Sequence, residues 1–426
     1  MFKQTKSLSR VITVLSLLLL VLSAVSFTSI GQDDAMEMAS CEGEALTDDS
    51  PVVTLGAAVS DTGKYAREGG DTRNGYTIWL DWVNDEYGGI NVAGVCHRAE
   101  IIFYDDESDP DTVSVLTERL IIEDEVDFIL GPYSSSLTQV ASVITEREDI
   151  IMVEGNGASE TLFERGFQNL FAVLTPAGSY TRSGIELAAA NGATTAVVAY
   201  EDTAFPTSVA EGALIWLEEN GIEVLAVETY PLDVTDVTAM FTRFRDLDPD
   251  LFVGGGHFND AVLFLSTAEE LGFSPDSFLI TVGPSNPTFV EEMGEDSNYV
   301  LGASQWESSL AYEDAYFGSA GDYAVRYEEA FGIAPSYQAA ESTATALVLH
   351  LAIEAAASLE TADVRQALLD MDIVTFYGPI NFDETGKNVG KPMVTIQVQD
   401  GEIVVVAPED AAVAEVIYPA PAWDER

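Results

Sequence analysis

Three consecutive serines, Ser134 to Ser136, follow a hydrophobic run and open a helix-like stretch in DFILGPYSSSLTQV. If a strand ends just before them, the free N–H groups and the positive dipole end of the next helix lie beside their hydroxyls. Such a helix start can bind an anion, for example a carboxylate. The alternative is helix capping by one serine while the others face solvent, which is the commoner use of serine at this position.

A second loop with polar groups, EGNGASETLF (154–163), follows the next strand-like run. Gly155 and Gly157 allow close approach to the backbone, and Asn156 and Ser159 offer donors. An ordinary glycine loop with Ser159 as an N-cap is the alternative. Open α/β sheets bind ligands at the carboxyl ends of their strands, so two such loops on consecutive strands indicate a binding site more strongly than either does alone.

Signatures of catalysis are weak in this sequence. Neither a G-x-x-x-x-G-K-[ST] loop nor a G-x-S-x-G elbow occurs, and the histidines are only His97, His257 and His350. A Ser135–His257 nucleophile pair would need both the right geometry and an orienting acid. We therefore predict no enzyme, no metal site and no cofactor.

The chain is strongly acidic, with 72 Asp and Glu against 18 Lys and Arg and a net charge of -54. This balance argues against nucleic acid and against an anionic membrane surface as partners. One hypothesis is a protein that works outside the cytoplasm in saline water, where salt screens self-repulsion. Simple solubility is the alternative.

The N-terminus indicates export. Its cations are Lys3, Lys6 and Arg10. An apolar stretch over 11–30 follows, and Ala24-Val25-Ser26 provides the small residues that a signal peptidase prefers. We predict a signal peptide over 1–30 and an N-terminal extension over 31–50. An uncleaved membrane anchor is the alternative, because the apolar stretch is long enough to span a bilayer. In an exported protein the only two cysteines, Cys41 and Cys96, most simply form a disulfide bond, with two free thiols as the alternative.

From residue 52 onward, aliphatic strand-like runs alternate with amphipathic helical runs, and the pattern restarts after about residue 175. This alternation predicts two α/β units with largely parallel sheets covered on both faces. A tail of β character begins near FYGPINFDETGKN. No Pro/Gly/Ser linker separates the units, so we expect the chain to cross between them more than once, with a ligand cleft between the lobes.

The chain resembles the periplasmic branched-chain amino-acid-binding protein family, the substrate-binding proteins of ABC importers. The likeness covers roughly residues 51 to 407, and GPYSSSLTQVAS and FYGPINFDETG are its most specific parts. It rests on VVTLGAAVSDTGKYAREG, IIFYDDESDP, DFILGPYSSSLTQVAS, IIMVEGNGASETLFERG, AVVAYEDTAF and FYGPINFDETG.

The resemblance implies the type I periplasmic-binding fold, with two doubly wound Rossmann-like lobes joined by a three-strand hinge. Lobe 1 would comprise 51–174 and 304–394, and lobe 2 would comprise 175–303 and 395–426. It also implies a monomer that closes on a small ligand and then docks on a membrane permease driven by an ATPase.

The resemblance further implies a ligand site. Ser135 would hold the ligand's carboxylate, with its neighbours in the serine loop beside it. Tyr180 and Phe205 would form walls, and His257 would face the cleft. The full set is Glu68, Tyr133, Ser134, Ser135, Ser136, Asn156, Ala158, Ser159, Tyr180, Phe205, His257 and Ser285.

Amino-acid binders of this family carry an acid on the second lobe for the ligand's α-ammonium. The matching positions are Ser285 or Gly178, and neither is acidic. Glu201, Asp202 or Glu68 could substitute for the missing acid, or the ligand could be an amide, a small acid or an aromatic acid. A signalling or chemotaxis receptor domain and, less so, a secreted serine hydrolase are the alternative functions.

Overall fold

Two β-sheets, each covered by helices, form the described part of the chain. The computed structural model describes residues 41, 46–47 and 49–426. The signal peptide over 1–30 and most of the extension over 31–50 lie outside these residues, so both stay predictions.

The first sheet is built by strands between residues 52 and 172. Its strands are β1 (Val52–Val59), β2 (Ile90–Val92), β3 (Val95–Asp105), β4 (Phe128–Leu130), β5 (Met152–Glu154) and β6 (Leu170–Ala172). They lie in the order β2-β3-β1-β4-β5-β6, and all neighbours are parallel except the hairpin β2-β3. Strands β4 and β5 are wholly buried, as expected for aliphatic strands with helices on both faces. We call this sheet with its helices lobe 1.

The second sheet takes strands from two separate parts of the chain. The first of these are β7 (Thr195–Glu201), β8 (Glu223–Tyr230), β9 (Leu251–Gly255), β10 (Ser277–Ile280) and β11 (Leu301–Ser304). Two small hairpins follow, β12 (Glu313–Asp314) with β13 (Gly318–Ser319), and β14 (Asp372–Thr375) with β15 (Gly378–Asn381). Strands β16 (Val394–Gln399) and β17 (Glu402–Ala407) then join the second sheet, giving the order β17-β16-β11-β10-β9-β7-β8. We call this sheet with its helices lobe 2.

Helices connect the strands and cover both sheets. They are α1 (Ala66–Trp82), α2 (Pro110–Ile122), α3 (Ser135–Arg147), α4 (Arg182–Ala190), α5 (Ala204–Glu219), α6 (Thr238–Leu247), α7 (Phe258–Leu271), α8 (Pro287–Met293), α9 (Ala320–Phe331), α10 (Tyr337–Ala356) and α11 (Thr361–Leu369). Local sequence sets several helix starts. The Asp109 side chain accepts from Thr112 N at 2.8 Å before α2, with Pro110 at the first helical position.

Helix α10 is the central helix of lobe 1, and residues Tyr337 to Ile353 of it are buried. It packs closely on α1 because Gly75 lacks a side chain: a Cβ there would lie 2.3 Å from the carbonyl oxygen of Ala339. A disulfide bond joins Cys41 to Cys96 of β3, with Cα atoms 5.8 Å apart.

The chain passes between the lobes three times, after β6, after β11 and before β16. The predicted α/β fold of two doubly wound lobes with a three-strand hinge is confirmed. The residue limits of the lobes stay predictions, and the second sheet extends to Ser304 and starts again at Val394. Within the described chain, no single helix has the length and apolar character of a membrane span, although α10 and α11 meet that test together as a pair bent by 110°.

Candidate functional site

The serine loop lies at the carboxyl end of β4, where the chain turns into α3. Ser134 is the N-cap of α3, and its Oγ accepts a hydrogen bond from Leu137 N at 3.4 Å. Its φ of 78° lies in a region that L-residues rarely adopt, which is the kind of backbone strain that clusters at functional sites. Ser134 therefore caps the helix, and capping does not use Ser135.

Ser135 faces the second polar loop. It is fully buried, and its Oγ accepts a hydrogen bond from Ser159 N at 2.9 Å. Because this oxygen accepts from Ser159, its own proton remains available to donate to an anion. Ser159 Oγ in turn lies 2.8 Å from Ser208 Oγ on α5 of lobe 2. The two loops predicted to form a site are thus in contact with each other and with lobe 2, whereas Ser136 is partly exposed on α3.

Asn156 and Ala158 serve the scaffold of this site. The Asn156 side chain donates to Ser342 Oγ of α10 at 3.1 Å, and its backbone N–H donates to Glu154 Oε2 at 2.7 Å. The carbonyl of Ala158 accepts from Ala177 N at 2.8 Å, just beyond the first crossing. The Asn156 Oδ1 atom is buried and has no partner among the described residues.

Aromatic side chains from both lobes meet beside the serine loop. Tyr65 and Tyr133 of lobe 1 lie against His257 of lobe 2, with ring centroids 4.7 Å and 5.7 Å from the imidazole. Phe205 lies between His257 and Tyr180, with its ring centroid 5.6 Å from the imidazole and 5.1 Å from the Tyr180 ring. All of these rings are buried. We call Tyr65, Tyr133, Tyr180, Phe205 and His257 the interlobe aromatic cluster.

Glu68, in the first turn of α1, is a carboxylate inside this cluster with 1% exposure. Its Oε1 accepts from Tyr133 OH at 3.3 Å and from Phe258 N, at the start of α7 in lobe 2, at 3.1 Å. Its Oε2 is buried and has no partner among the described residues. Burial raises the pKa of Glu68 to about 7, with the hydrogen bond from Phe258 acting in the opposite direction.

His257 is the N-cap of α7 and is uncharged at neutral pH, because burial lowers its pKa to about 4. Its Nδ1 lies 3.0 Å from Tyr133 OH, and its backbone N–H donates to Asp260 Oδ2 at 2.8 Å. The imidazole therefore contributes a ring surface and a neutral hydrogen-bonding group to the cluster, and no positive charge.

A lysine bridges the lobes next to the cluster. Lys64 Nζ donates to Glu201 Oε2 and to the carbonyl of Leu232, the latter at 2.8 Å, and lies 3.6 Å from Asp260 Oδ1. Glu201 is fully buried and already paired with Lys64, whereas Asp202 is exposed. Of the three acids that could replace the missing lobe 2 acid, only Glu68 is both buried and left with an unpartnered oxygen.

The two positions that the resemblance predicts for an ammonium-binding acid differ in their surroundings. Ser285 is 3% exposed, and its Oγ has no partner among the described residues. Gly178 donates its N–H to Glu160 Oε1 at 2.7 Å and accepts from Trp216 Nε1 at 2.6 Å, so its backbone is already engaged. Ser285 is therefore the only one of the two with a free polar atom.

Sequence reasoning omitted several residues in and around the interlobe aromatic cluster. Tyr65 follows β1 at the same sheet edge as the serine loop, so its position after a strand could have identified it. No sequence motif marks Lys64 or Asp260, because these two residues come together only when the lobes pack against each other. Ser208 sits within α5 and has no motif of its own. No group of three or more His, Cys, Asp or Glu in the described residues could hold a metal ion.

A cavity of about 470 Å³ lies where α1 faces lobe 2, and residues of both lobes line it, among them Lys64, Arg67, Asp71, Asn259 and Thr288. Two α/β lobes, a hinge of three segments and convergent polar groups at the facing strand ends define a two-lobed ligand-binding protein.

The chain belongs to the periplasmic binding protein family, whose sequence profile matches residues 52–402. It is 24% identical over 387 residues to Leu/Ile/Val-binding protein homolog 7 of Brucella suis biovar 1, covering 86% of this chain and 94% of that protein. The predicted resemblance is confirmed, and membership of the family indicates an extracytoplasmic location.

Two solved structures show the same fold. One is the substrate-binding protein LivJ of a branched-chain amino acid transporter from Streptococcus pneumoniae, in complex with isoleucine, with a TM-score of 0.73 at 20% identity over 86% of this chain and 100% of that one. The other is a solute-binding protein of an ABC transporter from R. palustris, in complex with benzoate, with a TM-score of 0.72 at 16% identity over 87% and 97%.

Proposed function

We propose that this protein is the substrate-binding protein of an ABC importer and binds an amino acid, or a related small carboxylate or amide, between its lobes. The proposal rests mainly on the start of α3, where Ser135 Oγ accepts from Ser159 N and Ser159 Oγ lies 2.8 Å from Ser208 Oγ of lobe 2. The first amides of a helix lack partners within the helix and favour a bound anion. A ligand carboxylate would accept hydrogen bonds from the α3 amides and from Ser135 Oγ.

Closure of the lobes would complete the site. Phe205 and Tyr180 of lobe 2 are buried members of the interlobe aromatic cluster, so they would reach a ligand on lobe 1 only when the lobes are together. A ligand stabilises this closed arrangement to the extent that it binds the closed state more tightly than the open one. The closed protein, a monomer in this proposal, would then dock on a membrane permease with its ATPase.

We infer a binding role without catalysis. Ser135 Oγ is hydrogen-bonded to Ser159, and His257 Nδ1 is hydrogen-bonded to Tyr133, so within the described residues no hydrogen bond orients Ser135 toward His257. A serine nucleophile would require that bond.

The test is a thermal-shift screen of amino acids, amides and small carboxylates, followed by calorimetry on the hits. A true ligand raises the melting temperature in a concentration-dependent way. Ser135→Ala should weaken binding by about tenfold or more, because it removes a charge-assisted hydrogen bond. Ser136→Ala, on the partly exposed neighbour, is the matched control and should retain affinity. Equal affinities of wild type and Ser135→Ala would exclude this binding mode.

A further inference from the structure

The unpartnered oxygen of Glu68 distinguishes this cleft from a simple carboxylate site. A carboxylate removed from water costs several kcal/mol in general unless a cation or hydrogen-bond donors satisfy both oxygens. Glu68 Oε1 is satisfied by Tyr133 and Phe258, whereas Oε2 is buried without any partner among the described residues. The protein itself therefore leaves one strong acceptor free in the middle of the site.

No nearby cation of the described chain is available for that oxygen. Lys64 is engaged by Glu201 and Asp260. Arg67 lies 3.8 Å from Glu292 and has its guanidinium 4.8 Å from the ring centroid of Phe258. His257 is neutral, because burial lowers its pKa.

The aromatic rings around Glu68 also favour a positively charged group at this position. Tyr133 donates to Glu68, and Tyr65 packs on Tyr133 with centroids 5.5 Å apart. Aromatic faces attract cations through their quadrupole, and more strongly where water is excluded. Asp71, one turn further along α1, adds negative potential at Glu68. A positively charged ligand group therefore fits this position, and a second carboxylate does not.

We propose that the ligand is zwitterionic and that Glu68 Oε2 binds its ammonium group, while Oε1 holds Phe258 N at the start of α7 in lobe 2. This inference rests on the proposed function, and it moves the ammonium-binding acid from lobe 2 to α1 of lobe 1. It selects between the two kinds of ligand found in the similar structures, an amino acid and an aromatic acid without an amino group, in favour of the first.

Both charged ends of the ligand would then bind lobe 1, the carboxylate at α3 and the ammonium at α1. Lobe 2 would contribute the aromatic walls and the backbone N–H of Phe258. Because one carboxylate contacts both the ligand and lobe 2, occupancy of Oε2 and closure of the lobes are physically linked at Glu68.

The experiment compares amino acids with the same molecules lacking the amino group, for example leucine with 4-methylpentanoate and phenylalanine with 3-phenylpropanoate. Calorimetry on the whole protein measures both members of each pair for wild type, Glu68→Gln and Asp202→Asn. Wild type should bind the amino acid at least about tenfold more tightly than its partner. Glu68→Gln should abolish this difference with little effect on the des-amino acid, and Asp202→Asn, an exposed acid, should leave it unchanged.

The outcomes separate this inference from the proposed function. If wild type binds only carboxylates without an amino group, or if Glu68→Gln keeps the amino-acid preference, the inference is wrong while the binding function stands. If no amino acid, amide or carboxylate binds wild type, both are wrong. Should Glu68→Gln fail to fold, a co-crystal of wild type with the amino acid decides: the ligand nitrogen should lie about 2.7–3.2 Å from Glu68 Oε2, and a nitrogen bound by Ser285 instead would overturn the assignment.

Discussion

Gln305 and Thr175 form a reciprocal pair of hydrogen bonds between two of the three segments that join the lobes. Thr175 N donates to Gln305 Oε1 at 3.1 Å, and Gln305 Nε2 donates to the carbonyl of Thr175 at 2.9 Å. The third segment joins them, because Thr175 Oγ1 donates to the carbonyl of Lys391 at 2.9 Å and Lys391 Nζ donates to the carbonyl of Gln305. A closed circuit of hydrogen bonds therefore runs through the hinge.

This hinge circuit contacts the candidate site. Gln305 Nε2 also donates to Tyr180 OH at 3.0 Å, and Tyr180 packs on Phe205 in the interlobe aromatic cluster. Tyr377 OH has two acceptors within reach of its single proton, Glu341 Oε2 of α10 at 3.0 Å and Gln305 Oε1 at 3.3 Å. The hinge and the ligand walls thus share one buried polar network.

Gln305→Met should destabilise the protein by about 2 kcal/mol, because it leaves the buried N–H and carbonyl of Thr175 without partners. Chemical denaturation of the ligand-free protein measures the change. Gln168→Met, at an exposed position, is the matched control and should unfold like wild type. Equal unfolding free energies of wild type and Gln305→Met would show that the circuit contributes nothing to stability.

Lys64→Met should favour an open arrangement of the lobes. It removes the cation that crosses the cleft to the fully buried Glu201, and breaking such a pair costs about 3 kcal/mol. Opening would let water reach Glu201, so the radius of gyration from small-angle scattering should rise relative to wild type. Arg326→Met removes a more exposed ion pair with Glu86 within lobe 1 and should leave the scattering curve unchanged.

The double variant Lys64→Met/Glu201→Gln tests the cause of that opening. With the uncompensated carboxylate removed, the radius of gyration should return toward the wild-type value. A double variant as open as Lys64→Met alone would show that Lys64 acts through some other contact.

Protonation of Glu154 should make the ligand-free protein more stable as pH falls from 7 to 5. Burial raises its pKa to about 8 from an ordinary value of 4.5, although the N–H groups of Gly157 and Asn156 act in the opposite direction. Its Oε1 has no partner among the described residues. The folded state therefore binds this proton more tightly than the unfolded state. That stability is fully present below 4.5 and is lost as pH rises toward 8, at up to about 1.4 kcal/mol per pH unit.

Glu154→Gln should remove this contribution, so its melting temperature should depend less on pH than that of wild type between pH 5 and 7. Burial lowers the pKa of Lys391 to about 7, so this lysine changes the pH dependence of stability mainly above pH 7. His257, whose pKa burial lowers to about 4, makes the protein less stable as pH falls, but it does so equally in wild type and in Glu154→Gln. Glu123→Gln, at an exposed position, is the control and should follow wild type. If the melting temperatures of Glu154→Gln and wild type changed equally with pH, Glu154 would not be the source of this stability.

The fold was predictable because it depends on local patterns. Alternation of aliphatic and amphipathic runs identified β1, β7 and most other strands, and the hydrophobic run before GPYSSSLTQV located the turn from β4 into α3. The capping role of Ser134 and the disulfide partners Cys41 and Cys96 were also open to sequence reasoning. Each of these features arises from neighbouring residues or from the scarcity of one residue type.

The sequence by itself determined the two-lobed α/β architecture and the polar loops after β4 and β5. Only the tertiary structure decided which of the many carboxylates are buried and what they contact: Glu68 lies 190 residues from Phe258 in the chain yet accepts its N–H. The same holds for Lys64 with Glu201 and Gln305 with Thr175, separated by 137 and 130 residues. Burial and partner choice at such distances depend on how the lobes pack, and a sequence with 72 acidic residues gives no local sign of which carboxylate oxygens will be buried without a partner.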